Sequence, residues 1–71
     1  MTKQHVFKST MASTSVRDHV FEAFGYEAAQ TAYITYNTWG VMVEITTGDN
    51  QGCYDVHYNG PNAGLTFIDA G

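Results

Sequence analysis

Three side chains of different chemistry alternate in the last third of the chain: Cys53, Asp55 and His57. In an extended strand successive side chains point to opposite faces, so thiol, carboxylate and imidazole here share one face. Such a row invites a nucleophile or a metal reading, but the spacing works against both. Same-face neighbours in a strand lie ~6.5–7 Å apart, so carboxylate and imidazole meet only in favourable rotamers. A structural zinc ion also wants a fourth ligand, and His5 or His19 would supply it only if the fold carried them there. The row is therefore read as the polar outer face of a strand whose other face holds Tyr54, Val56 and Tyr58.

A second candidate is the carboxylate pair Asp18 and Glu22, at a spacing that makes them neighbours on a helix and resembles a general acid/base pair. Exposed like charges at this spacing are common, and no catalysis is expected there. His19, between Asp18 and Val20, is expected at the surface or its boundary. The chain contains neither a phosphate-cradling G-x-x-x-x-G-K-[ST], nor G-x-S-x-G, nor a paired C-x-x-C. No catalytic residue, cofactor or metal ligand is assigned, and the chain is read as non-enzymatic.

What remains is aromatic. Tyr26, Tyr33, Tyr36, Trp39, Tyr54 and Tyr58 are of the types that dominate interface hot spots, because the ring buries a large area while the hydroxyl or N–H keeps a hydrogen bond. Some of these rings must complete a core too small to close with aliphatic side chains alone. As a group they favour a binding protein.

The elements that position these residues follow from local signals. Ser15 followed by Asp18 has the form of a capping box and predicts a helix start. Val16, Val20, Phe21 and Phe24 then make one apolar stripe, and Gly25 offers the left-handed conformation at the helix end. Glu27, Ala28, Ala29 and Gln30 are good helix formers and predict a second short helix running to about Tyr33. From Ile34 the composition turns to residues favoured on a pleated surface. Val41, Val43 and Ile45 alternate with Met42, Glu44 and Thr46, the same period returns at 53–58, and Leu65 and Phe67 open a further strand. The segments 48–52 and 59–64 are dense in Gly, Asn, Asp and Pro and read as turns.

The expected fold is therefore α+β: one or two short N-terminal helices packed on a three-stranded antiparallel β-meander. Residues 15–33 are expected to be helical and 40–69 to form the sheet. Residues 1–12 are either a flexible arm or a short edge strand, with the arm favoured. The core expected from this arrangement is Val16, Val20, Phe24, Val41, Val43, Ile45, Val56 and Phe67.

With 71 residues the chain closes a single modest core, and its 44% hydrophobic content is that of a folded protein. The single cysteine excludes an internal disulfide and fits a reducing cytoplasm. No apolar run approaches the roughly 18–20 residues of a membrane span, and no secretory or lipidation signal is recognised, so the chain is read as mature from Met1. A net charge of −4 with Lys3, Lys8 and Arg17 as the fixed cations makes direct nucleic-acid binding improbable.

Those cations all precede the carboxylates Asp18, Glu22, Glu27, Glu44, Asp49, Asp55 and Asp69. A chain so divided is expected to fold with an electric dipole unless its N-terminal segment lies across the acidic region, and such a field steers association with a basic surface. Compact, acidic, rich in Tyr and without catalytic motifs, it resembles the small phage-encoded inhibitors of bacterial defence, particularly the anti-CRISPR proteins. The resemblance implies a subunit of a CRISPR surveillance complex as partner, met in the host cytoplasm through Lys or Arg of its nucleic-acid-binding surface. Seven carboxylates are too few to imitate DNA broadly, so a local block is expected. The residues assigned to that contact are Asp18, Glu22, Tyr26, Glu27, Tyr33, Tyr36, Trp39, Glu44, Asp49 and Asp55. The alternative is a small phage structural or assembly protein that self-associates through an open sheet edge.

Overall fold

The computed structural model of the chain describes residues 6–9 as backbone, and residues 15–60 and 62–70 in full. The order of elements is β1 (Val6–Ser9), α1 (Val16–Phe24), α2 (Tyr26–Thr31), β2 (Tyr33–Asn37), β3 (Gly40–Ile45), β4 (Gly52–Tyr58) and β5 (Leu65–Asp69). The fold is α+β, as the alternation of patterns implies. Strands β2 to β5 form an antiparallel meander, and β1 pairs with β5 at its far side, giving the order β1-β5-β4-β3-β2.

The sheet is thus larger than three strands. Tyr33 opens β2 and does not end a helix, because α2 stops at Thr31 and Ala32 is already extended. Beyond it a two-residue connection, Thr38-Trp39, returns the chain from Asn37 to its register partner Gly40. At the other side Val6–Ser9 is an edge strand, not an arm, whereas the rest of 1–12 lies outside the described residues. Its register, Phe7 opposite Phe67, joins segments about sixty residues apart in sequence, and local patterning carries no signal for such a pairing.

Helix α1 begins as read. The Ser15 hydroxyl accepts from the Asp18 backbone N–H at 3.5 Å, relieving a donor that has no partner within the helix. Gly25 separates the two helices with φ 104° and ψ 169°. That is a region essentially reserved for glycine, though not the left-handed helical well that the sequence suggested. Its N–H bonds the Phe21 carbonyl at 2.8 Å, closing α1, while its own carbonyl accepts from Ala29 and so opens α2. The Arg17 guanidinium donates to the Ala29 carbonyl and ties the helices together.

Both helices lie on one face of the sheet. Val20, Ala28, Ala29 and Ala32 meet Val43, Ile45, Tyr54, Leu65 and Phe67 in one buried cluster, with Val16, Phe24, Ile34 and Val56 packed around it. The Phe24 ring touches both Tyr54 and Phe67, with centroids 5.0 and 5.4 Å away. Two expectations about burial, for Val41 and His19, are corrected, and Phe21 of the α1 apolar stripe lies outside the core. Val41 is only half-buried and outside the cluster, because the helices do not reach that end of the sheet. Phe21 is 52% exposed, its ring set edge-on to Tyr26. His19 is 4% exposed and not a surface residue, since α1 lies against β1 as well as α2. No helix among the described residues is long and apolar enough to cross a membrane.

Candidate functional site on the open face of the sheet

The face opposite the helices is built by the alternate residues of the same strands. Strand register sets Tyr33, Glu44 and Cys53 in one cross-strand row and Thr35, Met42, Asp55 and Ile68 in the next, with His57 opposite Thr66 beyond them. Tyr33, Thr35, Glu44, Cys53, Asp55 and His57 are exposed, and Met42 and Ile68 are half-buried. Among the described residues of this face Thr66 alone is buried, where the Asn59 side chain folds over it in hydrogen bonds of 2.8 and 3.1 Å.

Cys53, Asp55 and His57 do share this face. Among the described residues no group of three or more His, Cys, Asp or Glu side chains is placed to hold a metal ion. The row is crossed by Glu44 beside Cys53 and by Met42 beside Asp55, so its neighbours are set by strand pairing as much as by sequence spacing. At the β2–β3 turn Trp39, 82% exposed, stands at the rim of a cavity of about 220 Å3 that Met42, Asp55 and His57 also line. Met42 and His57 were not among the residues assigned to the contact. Their membership depends on the β3–β4 register, which one strand's pattern does not reveal.

The residues assigned to the contact do not all converge. Tyr33, Glu44 and Asp55 lie on the open face and Trp39 at its end. Tyr36 and Tyr58 alternate to the helix side, yet both are exposed because they extend past the helices. Tyr26, Glu27 and Asp49 line a separate cavity of about 260 Å3 between the start of α2 and the β3–β4 loop. Asp18 and Glu22 are exposed on α1, each engaged in interactions within the chain. A single flat contact covers the first group or one of the others, not all of them.

Tyr54 stands apart from its fellow tyrosines. It is 2% exposed, and its hydroxyl donates to the Asn50 carbonyl at 2.7 Å. Burial and, after it, the Asp69 carboxylate raise its pKa above the ordinary 10.0. Its role is to hold the β3–β4 loop against the core, which removes it from the set of interface candidates. No protein-family model, curated protein or solved structure matches the chain.

Proposed function

We propose that this chain is a non-catalytic inhibitor of the anti-CRISPR type, which uses the open face of its sheet to occupy a basic surface of a nucleic-acid-binding protein in the host cytoplasm. The observation that carries the reading is the composition of that face. Glu44 and Asp55 stand exposed on adjacent cross-strand rows and Tyr33 and Trp39 flank them, while the cation Lys8 holds the register position opposite Thr66 at the far edge of the sheet. Carboxylates in such a field speed encounter with a basic patch and fix orientation, while the rings supply the desolvated contact area that holds it. A face this small blocks locally; it does not replace a length of DNA.

The test is competition. Purified CRISPR surveillance complexes are titrated with the chain, and binding of target DNA is measured. Wild-type chain should release the DNA, the Glu44→Lys/Asp55→Lys double variant should lose that effect, and Glu22→Lys/Glu27→Lys on the helical side should keep it. DNA binding undisturbed by wild-type chain, or inhibition retained by the open-face double variant, overturns the reading.

One observation favours self-association as a second reading. Strand β2 is hydrogen-bonded on one side only, and Tyr33–Asn37 contains none of the charges or prolines that commonly blunt an edge. Antiparallel pairing of two copies about Thr35 would set Ile34 opposite Tyr36 of the second copy, a favourable aromatic and β-branched pair. Sedimentation that finds a monomer at every concentration removes this reading; a dimer abolished by Thr35→Pro supports it.

A further inference from the structure

We propose that the cavity beside Trp39 is a receptor for one cationic side chain, and that arginine is the residue it takes. The inference rests on the open face being the contact with a basic partner, and it specifies which group of that partner is recognised. At about 220 Å3 the cavity falls below the ~300 Å3 at which small-molecule sites begin, a size that suits one inserted side chain and not a cofactor.

Alongside His57, its lining includes three groups that suit an arginine, Trp39, Met42 and Asp55. The Trp39 indole is the best of the aromatic faces for a cation, and a guanidinium also stacks on it as a plane. Met42 offers a polarizable, apolar thioether for the methylene stem. Asp55 offers a carboxylate, whose two oxygens match the guanidinium fork in charge-assisted hydrogen bonds. Among the described residues the Asp55 carboxylate makes no ion pair or side-chain hydrogen bond, so an arriving cation displaces no internal partner. Lysine would satisfy the charge but neither the plane nor the fork, and a neutral sugar would use the indole while leaving the carboxylate without its counter-charge.

Trp39 is the one tryptophan of the chain, so its fluorescence reports on this cavity alone. The chain is titrated with the capped tripeptide Gly-Arg-Gly, and with the same peptide carrying lysine or citrulline, while fluorescence and amide chemical shifts are followed. The arginine peptide should give a saturable change centred on Trp39, Met42 and Asp55, weakening as salt is added. Citrulline, isosteric but uncharged, should bind at least about tenfold more weakly, as should arginine to Asp55→Asn. Equal binding of citrulline, an unchanged affinity in Asp55→Asn, or shifts confined to another part of the surface each overturn the proposal. The DNA-competition assay separates the two readings. Arginine binding without inhibition retains the receptor and rejects the inhibitor, whereas inhibition without arginine binding does the reverse.

Discussion

The two faces of the sheet are made by the same strands, pair by pair, yet they carry opposite properties. On one, Val43, Ile45, Tyr54 and Phe67 lie beneath the helices and are almost wholly withdrawn from water. On the other, Glu44, Cys53, Asp55 and His57 remain exposed. Backbone pairing is common to both, so the difference comes from what is stacked on each. Withdrawing a large apolar side chain from water stabilises the fold by ~1.5–3 kcal/mol, while a polar side chain left in water contributes little. Stability is therefore concentrated on the helical face, and the open face contributes little to it.

The sharpest way to break this contrast is to cut the core. Phe67→Ala removes a ring with no exposed surface that packs against Phe24, and should cost ~3–5 kcal/mol in urea unfolding. A loss no greater than that of an open-face substitution would dissolve the distinction. Next is the joint that lets both helices lie on the same side. Gly25→Ala meets no steric obstacle from neighbouring atoms but must adopt φ 104°, so a destabilisation of ~1–3 kcal/mol is expected from backbone strain, read as a lowered thermal midpoint.

Tyr54→Phe probes the polar handle inside the core. Losing the hydroxyl bond to Asn50 should cost ~0.5–1.5 kcal/mol at neutral pH. The same substitution changes the alkaline behaviour. Because the folded-state pKa of Tyr54 is raised, the unfolded chain loses the phenolic proton first. The folded state then binds more protons than the unfolded state, and stability falls as pH rises. The contribution is fully present below about pH 10 and declines as pH passes from there through the higher folded value. Urea midpoints between about pH 8 and 11 should fall less steeply in Tyr54→Phe than in wild type; parallel curves would contradict the assignment.

The smallest effects belong to the open face. Cys53→Ser and Asp55→Asn should each change stability by less than about 0.5 kcal/mol. A larger loss in either would mean that this face supports the fold as well as facing outward.

Much of the contrast was legible beforehand, because it depends on short-range rules. The Ser15 cap, the stop at Gly25 and the separation of Cys53, Asp55 and His57 from Tyr54 and Val56 all rest on neighbours within a few residues. Strand β2 was less visible, since the helix-forming run before it blurs the boundary at Ala32. Strand β1 was less visible still, because its partner β5 lies at the other end of the chain. The tyrosines are the clearest case of what sequence leaves open. Tyr54 and Tyr58 alternate to the same side of the same strand, yet one is 2% and the other 73% exposed. Nothing in the residue type distinguishes them; the extent of the helix layer does.

Period, capping and charge order are properties of adjacent residues, and through them the amino-acid sequence determined two helices, alternating strands and an acidic C-terminal run without a cation after Arg17. Only the tertiary structure decided that Trp39, Met42, Asp55 and His57 share a cavity, that Arg17 serves the helix pair, and that His19 is enclosed. The physical reason is that register and layer packing bring together residues distant along the chain, and the energy that selects them arises only when the strands pair and the helices settle on one side.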